Sequence, residues 1–289
     1  VKTLLVINPG SRSGGQAADD IVDQLAQDGE VEQLSAEHPT DLPDLLRQQG
    51  GRADRIVLGG GDGTVNLMLD SLLELGKPVG LLPLGTANDL ARSLEIPTDT
   101  NKALAIIRAG VCRRIDVAQA NQHSFINALG MGLGPRMTEE MDGGEKSRFG
   151  VLAYLLGIVR AFRRQPSFSA QLHTEDRQRQ GRFLQITVAS GIHYGGGMTV
   201  AEDAKLDDRE FDVLLVPQQS HWRLLANAIS FRQGLTRNAD GIIHLRCQKV
   251  QLDTQPTLDV TLDGEFLTQT PVCCSFHPRS LQVFAPTTS

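Results

Sequence analysis

The run Leu58-Gly59-Gly60-Gly61-Asp62-Gly63-Thr64-Val65-Asn66 follows an apolar strand signal and opens a helix signal. Glycines at such a junction let the backbone take positive φ and approach a ligand closely. The free N–H groups of the helix start then present partial positive charge to a phosphate. Asp62 would repel a phosphate, so it needs a second reason to be there. A bridging Mg²⁺ or a hydrogen bond to a ligand hydroxyl supplies one, and a helix cap by Asp62 or Thr64 is the purely structural alternative. One strand later, Leu82-Pro83-Leu84-Gly85-Thr86-Ala87-Asn88-Asp89-Leu90-Ala91-Arg92 repeats the arrangement. Capping is again the alternative for Thr86, Asn88 and Asp89. A third polar turn, residues 8–15, follows the first strand, and its Arg12 could meet a phosphate oxygen. None of the three ends in the Gly-Lys-Ser/Thr of a P-loop, and none has the spacing of a dinucleotide fingerprint.

Two acids stand late in the chain. Asp263 and Glu265 flank Gly264 after the strand signal Val260 to Leu262. In extended backbone, residues two apart leave on the same side, an expectation that the glycine makes approximate. The bland alternative is an acidic hairpin turn. Residues 204–213 form another charged turn, Ala204-Lys205-Leu206-Asp207-Asp208-Arg209-Glu210-Phe211-Asp212-Val213.

The elements that must position these groups fall into two styles. In the first third, strand signals at Leu4 to Ile7, Val31 to Leu34, Arg55 to Leu58 and Val79 to Leu82 alternate with helical spacing. The helices fall at Gln16 to Asp28, around Leu42 to Leu46, at Val65 to Leu75 and at Thr86 to Leu94. This rhythm predicts a mainly parallel sheet with helices on both faces, and ligands bind beyond the carboxyl ends of such strands. All three turns lie at that edge. The remainder is strand-rich, with signals at Ile126 to Leu129, Phe183 to Ala189, Phe211 to Val216, Lys249 to Leu252, Leu258 to Leu262 and Leu281 to Phe284. Helices are expected there at about 148–163 and 222–231, and the polar stretch His173 to Arg182 as a solvated hairpin tip. The pattern predicts a second, largely antiparallel domain.

Length and composition set bounds. With 289 residues, 40% of them hydrophobic, the chain can bury two cores. A net charge of -6 offers no global attraction for nucleic acid or anionic membrane. Four cysteines without metal spacing read as buried, reduced thiols of a cytoplasmic protein. No signal peptide is expected at Val1. The longest apolar stretch, Val151 to Val159, is too short to span a bilayer and is flanked by arginines. Its helix could rest on a membrane surface, though core packing is the commoner use.

The glycine loop followed by Leu84-Gly85-Thr86-Ala87-Asn88-Asp89-Leu90-Ala91 resembles the catalytic domain of diacylglycerol, sphingosine and ceramide kinases, and in particular the bacterial YegS-like lipid kinases. Asn8-Pro9, Phe125 to Gly132, Gly195 to Met198 and Leu262-Asp263-Gly264-Glu265 extend the resemblance over nearly the whole chain. It implies an N-terminal three-layer, doubly wound, mainly parallel α/β domain like those of NAD kinases and phosphofructokinases, at 1–118 and completed by about 277–289. A β-sandwich-like domain at 119–276 would carry the acceptor side. It implies an ATP-dependent phosphotransferase acting on a lipid hydroxyl such as that of phosphatidylglycerol or diacylglycerol. The protein would be cytoplasmic, peripheral to the inner face of the membrane, without a transmembrane segment or a nucleic-acid partner, and compatible with a homodimer.

By the same resemblance, ATP and Mg²⁺ are bound by Ser35, Gly61, Asp62, Gly63, Thr64, Val65, Asn66, Leu67, Thr86, Asn88 and Asp89. Phosphoryl transfer to an alcohol needs a group to accept the hydroxyl proton. The resemblance places that group in the pair Glu265 and Asp263, with Asp62 a further candidate. Asp208 with the carbonyls of Lys205 and Glu210 maps onto a structural Mg²⁺ loop. Three departures stand out. Leu67 replaces a glutamate common in relatives, Arg209 replaces the usual glycine, and Ser190-Gly191-Ile192-His193-Tyr194 replaces a more usual Asn-Gly-Arg run. A soluble-acceptor kinase of the NAD kinase type and a non-catalytic nucleotide-binding regulator remain as alternatives.

Overall fold

The computed structural model describes residues 1–7, 14–36, 38–132, 167–194, 198–199, 204–218, 241–278 and 280–287. The loop expected at 8–13, the helices expected at about 148–163 and 222–231, and the glycine turn 195–197 lie outside these residues. The chain divides into two compact units, Val1–Val117 with His277–Ser289, and Ala118–Phe276. Among the described residues, no helix is long and apolar enough to cross a membrane.

The first unit runs β1 (Lys2–Ile7), α1 (Gly14–Ala26), β2 (Glu30–Leu34), α2 (Leu42–Gln49), β3 (Arg55–Gly60), α3 (Asp62–Leu75), β4 (Val79–Pro83), α4 (Asp89–Ser93), α5 (Thr100–Ala109) and β5 (Cys112–Ile115). The last strand of the chain, β19 (Leu281–Phe284), returns to complete the sheet in the order β2-β1-β3-β4-β19-β5. β2, β1, β3, β4 and β19 are parallel, and β5 alone of the six runs antiparallel to β19. Leu4, Leu5 and Val6, like Ile56, Val57 and Leu58, are all buried. Consecutive buried residues mean that both faces of the sheet are covered, which is why these strands read as unbroken apolar runs. α3 buries Met68, Leu69, Leu72 and Leu73 and stops at Gly76, whose left-handed φ of 63° suits a residue without Cβ. α5 was not anticipated. Asp99 caps it by accepting from the Lys102 amide at 2.9 Å, and Ala103, Leu104 and Ile107 form its buried stripe.

The second unit contains β6 (Ala118–Ala120), β7 (His123–Phe125), β8 (Ala128–Gly132), β9 (Phe168–Thr174), β10 (Gln178–Ala189), β11 (His193–Tyr194), β12 (Met198–Thr199), β13 (Phe211–Pro217), β14 (Ile243–Cys247), β15 (Val250–Gln255), β16 (Asp259–Leu262), β17 (Glu265–Gln269) and β18 (Val272–Phe276). Eleven of these form one hydrogen-bonded sheet, and β11 pairs with β12 apart from it. Every pairing in the unit is antiparallel. The long strand β10 lets one sheet wrap around a core. Its Gln178–Phe183 part pairs with β9, and its Gln185–Ala189 part pairs with β8 and β13, with a register shift between Phe183 and Gln185. A shift of this kind bends a strand from one layer into the other. Phe125, Phe211 and Phe276 stack in series inside, with ring centroids 6.3 and 4.2 Å apart.

The polar stretch His173 to Arg182 is an exposed hairpin tip, as expected, with β9 turning into β10 at residues 175–177 and Gln178 to Arg182 paired back to β9. One sequence expectation is corrected here. The cysteines are all free, yet Cys112 is exposed and Cys273 half-buried. Burial pushes the Cys247 thiol up to about 12 and the Cys274 thiol up as well, so these two are poor nucleophiles.

On β13, buried Asp212 receives His244 Nε2 at 2.6 Å and Arg246 Nε at 2.9 Å from β14, both on its Oδ1. Burial alone would raise this carboxyl, but the two hydrogen bonds outweigh it and hold it below the ordinary carboxylate range. A depressed native value stabilises the fold above the unfolded value of about 3.9 and loses that contribution as pH falls through the native one. Asp212→Ala should therefore cost about 2 kcal/mol near neutral pH. The gap from wild type, followed by denaturant unfolding, should close progressively below about pH 4.

Candidate active site

The first unit gathers its chemistry at the carboxyl edge of its parallel strands. Ser35 is exposed just after β2, the glycine loop follows β3, and the Gly85–Asp89 loop follows β4. The two loops meet backbone to backbone. A Cβ on Gly85 would stand 2.4 Å from the Gly61 Cα, and one on Gly61 would stand 3.1 Å from the Gly85 Cα. Glycine is required at both places for want of space. The second loop is closed on itself by Asn88, which takes a left-handed φ of 51°. Its Oδ1 accepts from the Gly85 amide at 3.1 Å, and its Nδ2 donates to the Gly85 carbonyl at 2.9 Å.

Asp62 joins the loops. Its Oδ2 accepts from the Asp89 amide at 2.9 Å and its Oδ1 from the Leu90 amide at 3.1 Å. It thus caps α4, a neighbouring helix, rather than its own. Each oxygen keeps a lone pair, so a metal ion or a ligand hydroxyl can still be met. Thr64 is buried against Gly60, where a Cβ would collide with its hydroxyl, and its amide donates to the Gly61 carbonyl. Val65 is buried, Asn66 half-buried, and Thr86 and Gly63 exposed. A Cβ on Gly63 would meet nothing within 4 Å. The start of α3 is therefore a bare backbone cradle opening onto free space, which fits a phosphate. Leu67, 38% exposed, offers no acid beside it. Asp89 is buried within this network.

The second unit gathers its chemistry along one edge of its sheet. The register Leu262↔Leu129, Ala128↔Ala189 and Ala189↔Asp212 places the β16–β17 turn, the start of β8, the end of β10 and the start of β13 side by side. Asp263, in left-handed backbone at φ 49°, fixes this edge. Its Oδ2 accepts from the Ile126 amide at 2.8 Å, and its Oδ1 accepts from the Asn127 and Ala128 amides at 2.8 and 2.9 Å. Three such bonds orient it away from a proton-accepting role. Glu265, opening β17, is exposed, and its side chain makes no hydrogen bond or ion pair to another described residue. Glu265, the acid favoured from sequence, and Asp263, placed close behind it, therefore have different surroundings.

The loop before β13 carries Asp208, whose Oδ1 accepts from the Glu210 amide at 3.1 Å. Arg209 holds a left-handed φ of 55°, a conformation that favours glycine. Asn127, not assigned to the site from sequence, and Ser190, the first residue of the departing run at 190–194, also lie on this edge. A polar residue inside the apolar run Ile126-Asn127-Ala128-Leu129 was the available signal.

Comparison with known proteins follows this division. The family model for the diacylglycerol kinase catalytic domain matches residues 2–120, and that for the YegS C-terminal NAD kinase beta sandwich-like domain matches residues 128–285. A protein of Chromohalobacter salexigens named a probable YegS-like lipid kinase is 30% identical over 237 residues, covering 80% of this chain and 76% of its own. A solved diacylglycerol kinase structure from Bacillus anthracis superposes with a TM-score of 0.77 at 21% identity, covering 99% of this chain and 97% of that one. Another chain from that organism reaches a TM-score of 0.84 at 24% identity, covering 99% and 98%. At these identities the two structures speak for the fold.

The loop contact makes a direct prediction. Gly85→Ala should destabilise the protein by about 1–3 kcal/mol, because the added methyl would overlap the Gly61 backbone and crowd Asn88 Oδ1. Gly63→Ala should leave stability unchanged or raise it by up to about 1 kcal/mol, since open space receives the methyl and alanine favours the helix. Denaturant midpoints of the two variants check both.

Proposed function

Because the chain belongs to the YegS-like branch of the diacylglycerol kinase family, we propose that it moves the γ-phosphate of ATP to a lipid headgroup hydroxyl through Glu265. The observation that supports this assignment is the contrast between Glu265, exposed and unengaged, and Asp263, spent on three backbone amides. In this reading the ATP phosphates rest on Gly61, Asp62, Gly63 and the first turn of α3. Ser35, Asn66, Thr86 and Asn88 complete the nucleotide's surroundings, and Val65 and Leu67 contribute through their place on the helix. The lipid hydroxyl oxygen attacks the γ-phosphorus, the bond to the bridging β,γ-oxygen breaks, ADP leaves, and the hydroxyl proton passes to the Glu265 carboxylate. Asp263 positions the turn that carries Glu265.

When bound, Mg²⁺ would neutralise charge that builds on the phosphates. Asp62 and Asp89 would hold it beside the cradle, and the Asp208 loop with the Lys205 and Glu210 carbonyls would hold a second, structural ion. The acceptor would be met at the inner surface of the membrane by peripheral contact, with phosphatidylglycerol and diacylglycerol as the first acceptors to try.

The test is transfer of label from γ-labelled ATP to lipid in mixed micelles with Mg²⁺. Wild type should label a lipid, and Glu265→Gln should lower turnover about 100- to 10,000-fold with an unchanged melting temperature. Gly63→Ala should weaken ATP binding while keeping its stability, since its methyl enters the space given to phosphate. Full turnover in Glu265→Gln would remove that residue from its role. No labelled lipid with wild type would sink the lipid-kinase reading itself.

A further inference from the structure

Asn127 and Ser190 face each other where β8 begins and β10 ends. The register that pairs Leu129 with Val188 and Ala128 with Ala189 continues to them. The Ser190 amide donates to the Asn127 carbonyl at 2.9 Å, and the Gly191 amide donates to the same oxygen at 3.2 Å. Directly opposed residues on neighbouring strands project to one face, with Cβ atoms about 4.5–5.5 Å apart. Both are buried, at 4% and 6% exposure. Yet Asn127 Oδ1 and Ser190 Oγ have no hydrogen-bond partner among the described residues. Buried polar atoms in folded proteins are almost always paired. Two orphans on opposed residues point to a ligand that supplies what the chain does not.

Their surroundings say which ligand. The Asn127 amide is one of the three held by Asp263, two residues before Glu265. The orphan pair and the proposed base are therefore set by the same carboxylate. A Cβ on Gly191 would lie 3.6 Å from Asn127 Oδ1, so the backbone lines the pair closely. An amide oxygen only accepts, and a serine hydroxyl both donates and accepts. One neutral hydroxyl satisfies both atoms, donating to Oδ1 and accepting from the Oγ hydrogen. An anionic group would meet the amide oxygen and two carboxylates, which disfavours a phosphate.

We propose that Asn127 and Ser190 form a subsite for a second hydroxyl of the lipid headgroup, next to the hydroxyl presented to Glu265. This rests on the lipid-kinase reading and narrows its acceptor to lipids with two neighbouring free hydroxyls. Asn127 holds the edge through its backbone, so its side chain, like that of Ser190, can be removed without breaking the ties described. The pair positions the acceptor and determines specificity.

Three acceptors test this in mixed micelles: 1-monoacylglycerol and phosphatidylglycerol, each with two neighbouring hydroxyls, and diacylglycerol with one. Wild type should prefer at least one of the two diols. Ser190→Ala and Asn127→Ala should each raise the KM for the preferred diol about 3- to 10-fold, the worth of one neutral hydrogen bond. The KM for ATP, the residual use of diacylglycerol and the melting temperature should hold, or the last should rise as an orphan is removed. Preference for diacylglycerol overturns the proposal. So does an unchanged diol KM in both variants, or a drop in melting temperature with equal losses toward every substrate, which would mark the pair as structural. Transfer to none of the three by wild type defeats the lipid-kinase reading for these acceptors and this subsite with it.

Discussion

The edge of the second unit that carries Glu265 depends on one carboxylate. Asp263 gathers the amides of Ile126, Asn127 and Ala128 within 2.9 Å, and its own amide donates back to the Ala128 carbonyl. Hydrogen bonds to a charged acceptor are worth about 1.5–3 kcal/mol each, more than neutral ones. The three amides precede or begin β8, beyond its last pairing with β16 at Leu129, and the carboxylate is the acceptor they meet on that side. The left-handed backbone at Asp263 and the following glycine let the side chain turn back on the strand it serves. Where Glu265 stands, and where the Asn127–Ser190 pair opens, both follow from this knot.

The first unit solves its own problem by the same means. A glycine-rich loop binds phosphate well because it has few side chains, and for that reason it has little to hold its shape. Asp62 ties it to the amides of Asp89 and Leu90, and Asn88 closes the neighbouring loop. The contact of Gly61 with Gly85 adds a steric limit from both sides. Asp62, Asp263 and Asp212 are thus committed to backbone amides or basic side chains. Proton transfer needs a carboxylate whose lone pairs are available, and the exposed Glu265 makes no side-chain bond to another described residue.

The parallel sheet was legible in the sequence because its strands are buried on both faces. Runs such as Leu4-Leu5-Val6 and Ile56-Val57-Leu58 can hardly be anything else when turns and helical stripes separate them. Helix α5 was missed although its cap and stripe were present, since its short Ala103, Leu104, Ile107 pattern lies in a polar stretch. In the second unit, β9 alternates Phe168, Ala170 and Leu172 inward, a clear period of two. The polar half of β10 carries no such pattern, because pairing with β9 defines it. The glycine loop, the Gly-Thr-Ala-Asn-Asp loop and the late acids were legible as motifs. The division of labour between Asp263 and Glu265 was not, since it depends on amides more than 130 positions away in sequence. For the same reason Asn127 and Ser190 became visible as a pair only through strand register.

The departures from the family pattern carry different physical weight. A non-glycine residue in left-handed backbone costs about 1 kcal/mol, and Arg209 bears that cost at φ 55°. The loop keeps this conformation because the Glu210 amide is bound to Asp208 Oδ1, an Asx-type closure that holds the turn from one residue earlier. A non-glycine residue here therefore strains the loop without breaking the Asp208–Glu210 bond that closes it. Leu67 is a different case. Nothing near it substitutes for a carboxylate through the backbone, because what glutamate would bring is a side-chain charge, and an apolar side chain 38% exposed brings none. A backbone-determined function can survive a side-chain change that a charge-determined one cannot. The turn at Asp208, closed through the Glu210 amide, is of the first kind, and Leu67 in α3 is of the second.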